Sequence, residues 1–115
     1  MPGTPLLLGL DVGTSSLKAL LTDASGATVA AASAEYPLST PRPGWSEQEP
    51  EHWVRAAVAA TREALARAEA SGHARSGERV AAIGFSGQMH GAVLVDGDDA
   101  PLRPCILWND ARSAP

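Results

Sequence analysis

Leu6-Leu7-Leu8-Gly9-Leu10-Asp11-Val12-Gly13-Thr14-Ser15-Ser16-Leu17-Lys18-Ala19-Leu20-Leu21 is the stretch whose pattern decides the fold. Residues 6–11 are apolar until the acid that closes them, which predicts a short buried strand. Val12-Gly13-Thr14-Ser15 predicts a turn, with Gly13 free to take a positive φ. Residues 16–21 resume as a second strand. Outward from there, Asp23-Ala24-Ser25-Gly26 predicts another turn, and residues 28–36 a third strand. Strand, turn, strand, turn, strand is an antiparallel meander.

Pro37, Pro41, Pro43, Gly44 and Pro50 predict a loop over 37–50, because proline fixes φ and removes a backbone donor. That loop carries Trp45, Glu47 and Glu49. Pro50 suits the first turn of a helix, and strong helix formers run on to about Ala70. Trp53, Ala57, Ala60, Ala64 and Ala68 fall on one helical face. Glu51 with Arg55, and Glu63 with Arg67, make i,i+4 pairs, and Ser71-Gly72 ends the helix. Beyond a polar linker at 76–79, residues 80–85 predict a second short buried strand and 86–91 a glycine-bounded loop. Residues 92–95 read as strand-like, 96–99 as a turn and 102–108 as a final strand. One helix on a mixed sheet is an α/β arrangement. A sheet covered on both faces needs more helices, so the chain reads as the front part of a larger domain.

The 115 residues are enough for one small domain, and 44% hydrophobic content supports a modest core. The run 6–10 is far shorter than the roughly 20 residues of a membrane span, and no basic region or cleavage site marks a signal peptide. Nine basic and 13 acidic residues leave a net charge of −4, with Lys18 the only lysine, which disfavours nucleic acid as a partner. The single Cys105 cannot form an internal disulfide, and no Cys/His cluster has zinc spacing. A reducing cytoplasm is the simplest compartment.

Three places carry polar groups suited to chemistry. Asp11 closes a strand and precedes a glycine turn rich in hydroxyls. Backbone N–H groups of such a turn can face phosphate oxygens, Thr14 and Ser15 can add donors, and Asp11 can hold magnesium directly or through water. An ordinary polar hairpin would use the same residues. The GxxxxGK[ST] pattern of a Walker loop is absent. The second place is Gly87-Gln88-Met89-His90-Gly91, whose Gln88 and His90 suit sugar hydroxyls and whose glycines admit a ligand close to the backbone. The third is Trp108-Asn109-Asp110-Ala111-Arg112 at a strand end, which taken alone is a solvated loop with a tryptophan that packs or lines a pocket. Cys105 reads as a buried, inert thiol.

Together, Gly9-Leu10-Asp11-Val12-Gly13-Thr14-Ser15-Ser16-Leu17-Lys18, Pro43-Gly44-Trp45-Ser46-Glu47-Gln48-Glu49-Pro50, the Gln88-Met89-His90 loop and Leu102-Arg103-Pro104-Cys105-Ile106-Leu107-Trp108-Asn109-Asp110-Ala111-Arg112 resemble the N-terminal end of FGGY-family carbohydrate kinases, most closely the xylulokinase branch. The first stretch is shared in outline with actin-like and heat-shock ATPases. The Gln-Met-His-Gly loop followed by Trp-Asn-Asp is far more specific. The resemblance implies an actin-like ATPase fold of ribonuclease-H-like domains, with residues 1–115 the N-terminal part of the first, and a β-meander start to its mixed sheet. It implies transfer of the ATP γ-phosphate to D-xylulose, giving D-xylulose 5-phosphate, with magnesium. Gly13, Thr14, Ser15 and Lys18 would meet the ATP phosphates and Asp11 the metal. Gln88, Met89, His90, Trp108, Asn109 and Asp110 would shape the sugar site.

In that family the general-base aspartate and the adenosine-binding domain lie beyond residue 115, so the chain alone is expected to be inactive. Its expected partners are the sugar and ATP, with neither nucleic acid nor membrane, and a homodimer is an option at full length. The alternatives are a gluconate or ribulose kinase of the same family, or a truncated, non-catalytic sugar-binding module.

Overall fold

A computed structural model describes residues 3–114. The meander forms as the sequence predicts: β1 (Leu6–Val12), β2 (Ser16–Asp23) and β3 (Thr28–Glu35) pair antiparallel, Leu10 opposite Ala19 and Ala19 opposite Ala32. Alternation does the sorting. Leu6, Leu8 and Leu10 of β1 share one face with Leu17, Ala19 and Leu21 of β2 and with Ala30 and Ala32 of β3, and all are buried. Asp11 and Lys18 stand directly opposite each other on the other face, both exposed.

The first helix, α1 (Pro50–Ala70), covers the buried face over β2 and β3. Pro50 sits in its first turn and Ser71-Gly72 closes it, Gly72 at φ 103. Ala56, Ala60, Ala64 and Ala68 make its buried stripe, in one core cluster with the leucines of β1 and β2. Ala56 replaces Ala57 in that stripe. Ala57 and Trp53 pack at its margin, partly buried.

The second half departs more from expectation. The polar linker is a one-turn helix, α2 (Ser76–Arg79), tied down by a hydrogen bond from Ser76 Oγ to Leu65 O, 3.0 Å. β5 (Val80–Gly87) then joins the edge of the sheet parallel to β1, giving the order β3-β2-β1-β5. It was expected to be buried and is not: Ile83 is 51% exposed and Phe85 75%. The cause is coverage, since α1 lies over β2 and β3 and leaves β5 bare.

Residues 92–95 make isolated bridges from Ala92 to Ile106 and from Val95 to Pro101 instead of a strand. The final strand shrinks to β6 (Cys105–Ile106), because Pro104 cannot donate to a ladder. Its partner comes from inside the proline-rich loop. There β4 (Glu47–Gln48) pairs antiparallel with β6 as a separate two-stranded sheet.

Candidate active site

The turn between β1 and β2 closes with Gly13 N–H donating to Ser16 O at 2.9 Å. Gly13 is needed there for space, not for the positive φ its sequence context allows. A Cβ at this position would lie 3.0 Å from Ser16 O, and the positive-φ glycines among the described residues are 26, 44 and 72. The carbonyls of the turn are held from the protein side. Tyr36 Oη lies 2.5 Å from Gly13 O and 3.0 Å from Ser16 O, while Tyr36 N–H donates to Ser15 O at 3.1 Å. Gln48 Nε2 donates to Thr14 O, and Gln88 Nε2 to Gly13 O at 3.2 Å. In a trans peptide the N–H points opposite to the C=O it follows. Pinning the carbonyls of Gly13 and Thr14 therefore aims the N–H groups of Thr14 and Ser15 outward, as an anion-binding turn requires. Burial pushes the Tyr36 hydroxyl pKa up, and the nearby charge of Asp11 adds to this, so Tyr36 stays a neutral donor.

Asp11 is placed by the β1–β5 pairing. Ser86, its register partner on β5, donates its hydroxyl to Asp11 Oδ1 at 2.7 Å. That bond orients the carboxylate and leaves its other oxygen exposed to a ligand. An exposed carboxylate beside a row of N–H donors suits magnesium, which takes few protein oxygens and keeps waters or phosphate oxygens in its shell. Among the described residues no three His, Cys, Asp or Glu side chains cluster as a ready-made metal cage.

The 87–91 loop leaves the end of β5 beside this turn. Gln88 points back into the protein, to Gly13 O and to Gln48 Oε1 at 3.1 Å. His90 has φ 59, in the left-handed region that costs a non-glycine residue about 1–2 kcal/mol. Gly91 admits the close approach of Cys105, whose Sγ would lie 3.2 Å from a Cβ there. Burial pushes the Cys105 thiol pKa up, so it stays protonated.

His90, Arg103, Trp108 and Asp110 line one cavity of about 390 Å³. Met89 lines a neighbouring one of about 230 Å³ with Val12, Trp53 and Gln88, and Trp108 borders both. Asn109 is not in this group. It borders a separate hollow with Arg42, Gly44 and Trp45.

Asp110 is engaged elsewhere. Its side chain, 2% exposed, accepts from Arg112 at 2.7 Å and from Ser46 N–H at 2.7 Å. The Arg112 guanidinium holds the Asp110 carboxyl well below the usual carboxylate range, outweighing the opposing effect of burial. Arg112 also reaches Glu47 at 2.7 Å and lies 3.7 Å over the Trp45 ring, and Arg103 joins Glu47 at 2.6 Å. This buckle fastens the proline-rich loop to the 107–112 segment. The sequence pattern places Ser46 and Glu47 in a loop and Arg103 in a strand, with nothing local to show that they meet. The signal available was two acids and two arginines held within conspicuously polar motifs.

A sequence model of the FGGY family of carbohydrate kinases, N-terminal domain, matches residues 6–115. The chain belongs to the FGGY family of carbohydrate kinases. A xylulose kinase of Lactococcus lactis is 43% identical over 108 residues, covering 94% of this chain and 21% of that protein. A gluconokinase of Bacillus subtilis is 37% identical over 110 residues, covering 96% of this chain and 20% of the relative. The crystal structure of a xyloylose kinase from Brucella ovis superposes with a TM-score of 0.81 at 48% identity, over 93% of this chain and 22% of that one. The chain thus spans about a fifth of the length of these FGGY relatives. Its mixed sheet, opening on a β-meander, is the start of the actin-like ATPase fold of these kinases. No helix among the described residues is long and apolar enough to cross a membrane.

Proposed function

We propose that the full-length protein phosphorylates D-xylulose with ATP, giving D-xylulose 5-phosphate, in the cytoplasm and with magnesium as cofactor. Residues 1–115 would be the N-terminal part of its first ribonuclease-H-like domain, the rest of that domain and the second lying outside them. The observation that carries this reading is the junction at Gly13. There the turn with outward N–H groups and the loop bearing Met89 and His90 meet through one side-chain amide. A phosphate-facing wall and a sugar-facing wall in contact are what phosphoryl transfer needs, since its catalysis is positioning and charge neutralisation.

In this reading Thr14 and Ser15 meet the ATP phosphates through N–H and hydroxyl groups, and Lys18 adds positive charge on the same sheet face as Asp11. Asp11 would hold magnesium, directly or through water, which neutralises phosphate charge when bound. His90, Trp108 and Met89 contact the sugar. Asp110 supports that pocket through its buckle, and the general base belongs to the part of the protein beyond residue 115. The 37% identity to a gluconokinase favours gluconate as the second reading.

The test replaces the matching segment of the Lactococcus lactis xylulose kinase with residues 6–115 and assays D-xylulose, D-ribulose, gluconate and glycerol by coupled ADP release. Preference for D-xylulose supports the proposal. Preference for gluconate moves the protein to the second reading, and His90→Ala with unchanged sugar affinity would remove the loop from the sugar site.

A further inference from the structure

Gln48 and Gln88 form a hydrogen-bonded relay behind the phosphate-facing turn. Gln48 is 2% exposed on β4, and its two amide atoms have distinct duties. The Trp53 indole, which can only donate, lies 3.0 Å from Gln48 Oε1. That contact fixes which way the amide faces and turns Nε2 towards Thr14 O. The same Oε1 accepts from Gln88 Nε2, which also donates to Gly13 O. Two neutral amides thus join four parts of the chain: the 13–16 turn, β4, the first turns of α1 and the 87–91 loop. Both act on carbonyls of consecutive turn residues, the groups whose direction decides where the Thr14 and Ser15 N–H groups point. A carboxylate at 48 would set an acceptor against the Thr14 carbonyl, so the relay requires an amide there and not merely a polar group.

We propose that Gln48 and Gln88 are positioning residues for phosphoryl transfer, locking the phosphate-facing turn to the sugar-bearing loop. This rests on the functional reading above. It gives Gln88 a role towards the turn in place of the sugar contact expected from the sequence. A displacement of about 1 Å at a reacting group can cost about a hundredfold in rate. The relay should therefore act on kcat while the sugar, held by neighbouring groups, binds almost as before.

The test uses Gln48→Glu, Gln88→Met and the double variant in the Lactococcus lactis chimera, for kinetics and for hydrogen exchange. Each single variant is expected to lower kcat about 10- to 100-fold with the KM for D-xylulose within about threefold. The double variant should be no slower than the worse single one, because both act through one turn. In the chimera, exchange of the Gly13 and Tyr36 amides should quicken at least about tenfold while the β1–β2 ladder stays protected. A raised KM at unchanged kcat would make Gln88 a sugar ligand, and a lower melting temperature with unchanged kinetics would make the relay purely structural. Either result overturns the proposal, as does unaltered exchange at Gly13 and Tyr36. An inactive unsubstituted chimera whose variants still loosen those amides would count against the functional reading alone.

Discussion

Asp11 lies near the end of β1 and Asp110 in the turn segment after β6, and their surroundings give them opposite work. Asp11 is exposed, with one oxygen held by Ser86 and the other open. In the chimera, Asp11→Asn is expected to lower kcat at least about a hundredfold, the scale of losing one electrostatic stabiliser of a transition state. Sugar affinity by calorimetry should hardly change, and retained turnover would sink the metal assignment. Asp110 is enclosed by Arg112 and Ser46, and its folded pKa is depressed chiefly by the hydrogen bonds from Arg112. A depressed carboxylate stabilises the fold above its unfolded pKa of about 4 and loses that contribution as pH falls further towards its folded value. Asp110→Asn should therefore lower the melting temperature of the chain at pH 7. The gap to the unsubstituted chain should narrow steadily between pH 5 and pH 2, and a gap independent of pH would show that the ion pair carries no net stability.

At the scale of elements, α1 is held by alanines, so its distance from the sheet is its weak point. Ala60 is fully buried in the core that α1 shares with β2 and β3. Ala60→Leu is expected to cost about 1–3 kcal/mol in urea unfolding, the usual cost of overpacking. Val58, two positions earlier and 45% exposed, is the control. Val58→Ala should stay within about 0.5 kcal/mol, and equal losses at the two sites would mean that the helix is not seated through its alanine stripe. β4 and β6 show the reverse economy: two residues each, they endure because Glu47 also anchors Arg103 and Arg112.

Across the whole molecule, the radius of gyration is 16.8 Å, against about 13 Å for a compact domain of this size. Phe85 on β5 and Met89, Leu94, Leu102 and Trp108 on the arm beyond it are all more than half exposed. Exposed apolar surface beside an unpaired strand edge promotes association. The isolated chain is expected to self-associate in sedimentation at micromolar concentration, and Phe85→Lys to reduce this. A monodisperse monomer would contradict that account of the surface. The isolated chain should also release no ADP from Mg-ATP with D-xylulose, since the entropic advantage of holding both reactants, about 7–11 kcal/mol, needs a closed cleft. Turnover surviving repurification would place the general base inside these residues.

Local pattern alone determined the meander and the long helix, because alternation, alanine-rich periodicity, Pro50 and Gly72 act over a few residues. The motifs around Asp11 and Gln88 were legible too, as residue types at fixed spacing. Their partners were not. Thr14 O meets an amide 34 positions away, Gly13 O one 75 away, and Glu47 an arginine 65 away. Nothing in a short window distinguishes a glutamine that faces a sugar from one that braces a backbone. The exposure of β5 has the same origin: an apolar strand is buried only where another layer covers it, and only the tertiary structure shows that α1 stops at β2 and β3.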